Sequence, residues 1–117
     1  MQLQYGCEAA PVTLEALQES VGPGWSDILA RLVSELEQLG WDGRILQIKE
    51  KFGGLRFYVE AASDEVYARI EQAEQDSYHV CEECGQRGMI RSGGWIKTLC
   101  DECEALRQER RLGASTR

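Results

Sequence analysis

Apolar positions change period several times along the chain, and each change marks an element. Leu14, Leu17 and Val21 recur at helical spacing behind Thr13, a hydroxyl residue suited to a helix cap, and predict a short helix to about Ser20. Gly22-Pro23-Gly24 breaks it. A better specified helix follows, in which Ile28, Leu29, Leu32, Val33, Leu36 and Leu39 form an apolar stripe opposite Arg31, Ser34, Glu35 and Gln38. Ser26 or Asp27 supplies its cap. Gly40 suits the left-handed position that ends such a helix, and Trp41 falls where the chain packs back on Leu36. Residues 1–12 show no clear period and end at Pro11.

Over residues 44–60 the period changes to two, which predicts a β-hairpin. Its turn is placed at Gly53-Gly54, or within a longer loop around them. Leu46, Ile48, Leu55, Phe57 and Val59 then share one face, and Gln47, Lys49, Lys51, Arg56, Tyr58 and Glu60 the other. Beyond it, Ser63 caps a helix that opens with Asp64 and Glu65, which complement its dipole, and buries a thin stripe of Val66, Ile70 and Ala73. That helix leads through Tyr78 and His79 into Cys81.

The chemistry is concentrated in Cys81-Glu-Glu-Cys84 and Cys100-Asp-Glu-Cys103, two Cys-x-x-Cys pairs with 15 residues between Cys84 and Cys100. This is the spacing of a four-thiolate zinc site: each short pair wraps one edge of a tetrahedral ion and the loop returns the second pair. Between the pairs, Gly85 takes the turn after the first knuckle. Residues 89–91 and 95–98 flank Ser92-Gly93-Gly94 as a small hairpin, the interior expected of a zinc ribbon. One structural zinc held by Cys81, Cys84, Cys100 and Cys103 is therefore expected. Arg87, Arg91 and Lys97 are placed to offset the negative excess of four thiolates around a divalent ion. Residues 101–112 are compatible with a helix, and residues 113–117 are expected to fray. His79, the one histidine, reads as structural or incidental because four thiolates already fill the ion. Cys7 reads as a small apolar residue near a terminus.

Composition refines this picture. The 117 residues suffice for an α+β fold of N-terminal helices and a β-hairpin packed together, followed by a helix and a C-terminal four-cysteine ribbon. The division expected is residues 1–79 as the helical and hairpin unit and residues 80–117 as the ribbon with its C-terminal helix. No apolar run is long enough for a membrane span and no leader pattern is visible, so a soluble, cytoplasmic chain with reduced cysteines is expected. Net charge is −7, which argues against a general nucleic-acid binder. The charge alternates by segment: residues 1–40 carry −5 and residues 60–83 carry −7, whereas residues 44–58 and 85–98 each carry +3. Lys49, Lys51, Arg56 and Tyr58 thus form a candidate partner-binding face on the first hairpin, and the acidic helices are the other candidate contact surface. The competing reading is that these long side chains cover apolar surface and pair with Glu50, Glu60 or the acidic helices.

The stretch Gln47-Ile-Lys-Glu-Lys-Phe-Gly-Gly-Leu-Arg-Phe-Tyr58, then Cys81-Glu-x-Cys-Gly85 and Gly94-Trp-Ile-Lys-Thr-Leu-Cys100-x-x-Cys103, resembles a family of small proteins of tailed bacteriophages and prophages. The resemblance spans roughly residues 22–105, with Gly24-Trp25 at the head of the long helix. It implies a phage accessory protein working in a bacterial cytoplasm, and it brings no catalytic residues to carry over. By analogy of genomic origin, such a protein binds a host protein, for instance a component of an antiviral defence complex such as a CRISPR effector. A nucleic-acid-binding or transcription-modulating ribbon, in which both +3 segments meet on one side, is the alternative. An enzyme is the least expected class, since no acid–base pair, nucleophile–base pair or phosphate loop is visible in the sequence.

Overall fold

The computed structural model describes residues 2–92 and 94–115, which form an α+β fold. The first hairpin is its frame: β3 (Arg44–Lys51) pairs antiparallel with β4 (Gly54–Val59), and Lys51 faces Gly54 across the turn. The turn is Phe52-Gly53, one residue earlier than the sequence reading placed it. Both residues have positive φ, 53° and 82°, as a two-residue turn matching the strand twist requires. A register shift between Ile45 and Gln47 also corrects the predicted facing. Ile45 is buried and Leu46 is turned out, because an extra residue in one strand reverses every side chain before it. After the bulge the expected alternation holds, and Ile48, Leu55, Phe57 and Val59 face the core.

Two strands in the N-terminal stretch escaped the periodicity analysis. β1 (Leu3–Tyr5) pairs antiparallel with β2 (Ala10–Val12) and parallel with β3, which gives a four-stranded sheet of order β2-β1-β3-β4. Three-residue strands are too short to show a period of two. Where β1 ends, the Tyr5 hydroxyl accepts the Ile48 N–H at 3.0 Å and extends the pairing by one bond. Pro11 lies in the outer strand β2, where a missing N–H costs nothing.

Helices α1 (Leu14–Glu19), α2 (Ser26–Gln38) and α3 (Asp64–Ser77) cover one face of this sheet. Thr13 and Ser63 cap α1 and α3 as expected, accepting from Ala16 N–H at 3.1 Å and Val66 N–H at 3.2 Å. At the end of α2, Gly40 N–H bonds Glu37 O at 3.0 Å and Trp41 N–H bonds Leu36 O at 3.1 Å, with Gly40 left-handed. This double closure swings Trp41 onto the core, where its ring meets Phe57 at a centroid distance of 6.0 Å. α3 also closes the free edge of β4: Ser77 Oγ accepts from Leu55 N–H and the Glu74 carboxylate from Phe57 N–H, each at 2.9 Å. A strand edge that would otherwise pair with another chain is thereby used up.

The start of α2 departs from expectation. Neither Ser26 nor Asp27 caps it; a 3₁₀ turn, Pro23–Trp25, runs straight into Ser26 without a side-chain cap bond. Two buried donors of that turn are satisfied by a segment distant in sequence. Gly24 N–H donates to Glu82 O at 2.8 Å, and the fully buried Trp25 donates its indole N–H to Val80 O at 2.9 Å. A side chain on Gly24 would stand 2.6 Å from Gly85 N and 2.7 Å from Glu82 C. The Gly22-Pro23-Gly24 motif is therefore the seat of the first cysteine turn as well as a helix breaker.

Candidate metal centre

Each cysteine pair is presented by a different local device. Around the first, Val80 and Arg87 form an antiparallel bridge, Cys81 N–H donates to Gln86 O at 2.7 Å, and Gly85 N–H donates to Cys81 O at 2.9 Å. This tight knuckle points Cys81 inward and leaves Cys84 exposed. The chain then forms β5 (Met89–Arg91) and β6 (Lys97–Leu99), an antiparallel pair with Ile90 opposite Thr98. The second cysteine pair begins where β6 ends: α4 (Asp101–Ser115) starts one residue after Cys100, and Cys103 N–H donates to Cys100 Sγ at 3.4 Å. The second pair therefore sits on the first turn of a helix. α4 extends through Ser115, and residues 116 and 117 of the segment expected to fray lie outside the described residues.

The four Sγ atoms all lie within 4.8 Å of one another, and Cys84 Sγ stands 3.6 Å from Cys100 Sγ. A regular tetrahedron with metal–sulfur bonds of about 2.3 Å has sulfur–sulfur edges of about 3.8 Å, so the set fits one ion of zinc's size. The electrostatics agree with that donor set. Burial pushes the Cys81 thiol up, but backbone N–H groups directed at its sulfur outweigh this and bring it down to about 7. Burial and the surrounding thiols hold Cys103 well above the ordinary thiol range. Four sulfurs this close cannot all ionise unaided, and a divalent cation held among them would supply the missing charge.

The three cations expected to offset the site are arranged less directly. Lys97 pairs with Glu83 at 3.0 Å and Glu82 at 3.6 Å, and Arg91 with Asp101 at 2.7 Å and Glu104 at 4.0 Å. They neutralise carboxylates beside the cysteines, while Arg87 lies exposed on the bridge to Val80. Glu82 is nearly buried and accepts Thr98 N–H at 3.1 Å; burial raises its carboxyl above the ordinary range, against the opposing pull of Thr98 and Lys97. His79 is exposed and contributes its carbonyl to Gly88 N–H, and Cys7 is exposed in the loop between β1 and β2, far in sequence from the cluster.

The proposed partner-binding residues share the solvent side of β3 and β4. Lys49 faces Arg56 across the strands, and its Nζ lies 5.8 Å from the Tyr58 ring centre. Arg56 is half-buried and engaged: it donates to Tyr78 Oη at 2.8 Å and to its neighbour's carbonyl, Leu55 O, at 3.0 Å. Hydrogen bonding to Tyr78 raises its already high pKa. Lys51 lies over Phe52 at 5.8 Å. Periodicity alone missed the two most exposed aromatics among the described residues, Phe52 at 64% and Trp95 at 71% exposure. Both sit in loop positions beside glycine, where an aromatic has no core to fill, and that was the available signal.

The two hairpins meet. Thr98 Oγ1 donates to Gly53 O at 2.6 Å in a buried bond, so the turn of the first rests on β6 of the second. Compared with protein-family models, curated proteins and solved structures, the chain matches none. Among the described residues no helix is long and apolar enough to cross a membrane.

Proposed function

We propose that the chain is a non-enzymatic binding protein on a zinc-stapled scaffold, a phage-type accessory factor whose partner is a bacterial host protein. The observation that carries this reading is the convergence of four sulfurs at the root of β5 and β6, with Thr98 of β6 bonded to the turn of the first hairpin. Four thiolates fill a tetrahedral zinc and leave no position for water, so the ion's role is to hold the surface in place. In this arrangement the zinc ribbon consists of a knuckle, a hairpin and a helix start. The choice of a host protein, such as a component of a CRISPR effector, rests on the phage resemblance of residues 22–105. The test is affinity capture from bacterial lysate with zinc-loaded and chelated protein. A stoichiometric partner retained only by the loaded form is expected, and equal capture by both forms refutes the scaffold reading.

One observation favours a second reading, nucleic-acid binding: the two +3 segments do adjoin, through Gly53 and Thr98. Against it, Lys97 and Arg91 are already ion-paired and Arg56 is tied to Tyr78, so much of that charge is spent internally. Binding through several phosphates weakens steeply with salt. A titration of single- and double-stranded DNA at low salt that shows no complex removes this reading.

A further inference from the structure

We propose that the two hairpin loops form a clamp for a protein segment carrying a large apolar side chain beside a carboxylate, with Phe52 and Trp95 as walls and Lys49 and Lys51 as charge partners. This deepens the protein-binding reading above and rests on it. Phe52 occupies the first position of a turn that demands positive φ, where glycine or asparagine is at ease and a bulky side chain is an outlier. Backbone strain retained at an exposed aromatic points to a use outside the fold. Trp95, the other exposed wall, is tied to α4: Arg107 Nη2 donates to its carbonyl at 2.6 Å. The buried bond between Thr98 and Gly53 fixes the spacing of the two loops.

Between them lies a groove of about 350 Å³ lined by Glu50, Lys51, Phe52, Gly94, Trp95 and Ile96, room for one large side chain. Exposed aromatics around such a slot are the composition of a protein-binding hot spot. Charge selects the neighbour of that side chain. Glu50 also lines the groove, but its carboxylate is held by Gly53 N–H at 2.6 Å, whereas Lys51 on the groove and Lys49 two residues along the same strand face have no carboxylate partner among the described residues. A single carboxylate senses mainly the charges within a screening length of about 8 Å, and the lysines carry the local charge that no carboxylate partner offsets. A polyphosphate strand extends beyond it and meets the rest of a chain of net charge −7. The clamp therefore fits an acidic peptide better than a nucleic acid.

The probe is the blocked peptide acetyl-Glu-Leu-Phe-Glu-amide, followed by the indole N–H signal of Trp95 in ¹⁵N-labelled, zinc-loaded protein. Trp25 and Trp41, both buried, serve as internal references. A saturable shift confined to Trp95 is expected, with Kd on the order of 1 mM for so small a ligand. The Lys-Leu-Phe-Lys peptide should bind at least about tenfold more weakly, and so should Phe52→Gly protein. Phe52→Gly relieves the turn, so its melting temperature should equal or exceed that of the wild type, which separates lost binding from lost folding. Equal affinity for both peptides, or no saturable shift up to about 10 mM, overturns the clamp. A tighter Trp95 response to oligo(dT) than to the acidic peptide overturns it in favour of nucleic acid. If the host partner is captured undiminished by Phe52→Gly and Trp95→Ser protein, the clamp fails while the protein-binding reading stands.

Discussion

Gly24→Ala tests whether the cysteine knuckle and the helical core are one structure. Gly24 has an ordinary negative-side backbone, so alanine brings no conformational strain, only a methyl group. That carbon would collide with Cys81 O and stand 2.6 Å from Gly85 N and 2.7 Å from Glu82 C, all main-chain atoms of the knuckle that cannot rotate aside. Relief requires the knuckle to move off the 3₁₀ turn. The movement breaks Gly24 N–H to Glu82 O (2.8 Å) and the indole bond of Trp25 to Val80 O (2.9 Å). Two such bonds are worth about 2 kcal/mol, and overpacking adds about 1–3 kcal/mol, so a loss of about 3–5 kcal/mol is expected. For a domain of this size that lowers the melting temperature by roughly 10–20 °C. Gly40→Ala is the control: it has open space around it but φ of 85°, and its cost should be about 1 kcal/mol from strain alone. Thermal unfolding of both variants, zinc-loaded, gives the comparison, together with the rate of zinc release to a chromogenic chelator. If Gly24→Ala unfolds within about 1 kcal/mol of the wild type, or no earlier than Gly40→Ala, the knuckle is not seated as described.

Replacing any one of Cys81, Cys84, Cys100 or Cys103 by serine should abolish stoichiometric zinc by elemental analysis and loosen β5, β6 and α4, read as lost amide protection there. Ser77→Ala removes the buried hydroxyl that accepts from Leu55 N–H, and leaving that donor unpaired should cost about 1–3 kcal/mol, with faster hydrogen exchange at Leu55 before any other β4 amide. Glu35 accepts from Arg69 at 2.5 Å and 3.0 Å, and this hydrogen bonding lowers its pKa. Its contribution to stability is thus present above the ordinary carboxylate value of 4.5 and lost as pH falls through the depressed folded value. Glu35→Gln should flatten the acid limb of the denaturation curve, and an unchanged limb would show that the pair carries no linkage.

Much of the fold was legible because it is written in short-range patterns. Thr13 and Ser63 mark helix starts through a hydroxyl three residues from the N–H it caps, and Gly40-Trp41 marks a helix end, so each can be read within one turn. The two Cys-x-x-Cys pairs were legible for the same reason, since a metal's edge length fixes the spacing of each pair, and the folded chain brings all four sulfurs within 4.8 Å. What escaped was decided between distant segments. One bulge at Ile45–Gln47 set which of two adjacent apolar residues faces the core. The strands β1 and β2 exist because β3 offers an edge, not because their own residues insist on it.

The sequence by itself thus determined the helices, the first hairpin and which cysteines could gather around a metal, all of which depend on residues a few positions apart. Only the tertiary structure decided that Glu82 O caps the turn before α2, that Ser77 and Glu74 seal β4, and that Phe52 and Trp95 end up on either side of one groove. Hydrogen bonds and steric clearances between segments as much as 58 residues apart, as for Gly24 and Glu82, follow from how the elements pack, and no local pattern encodes them.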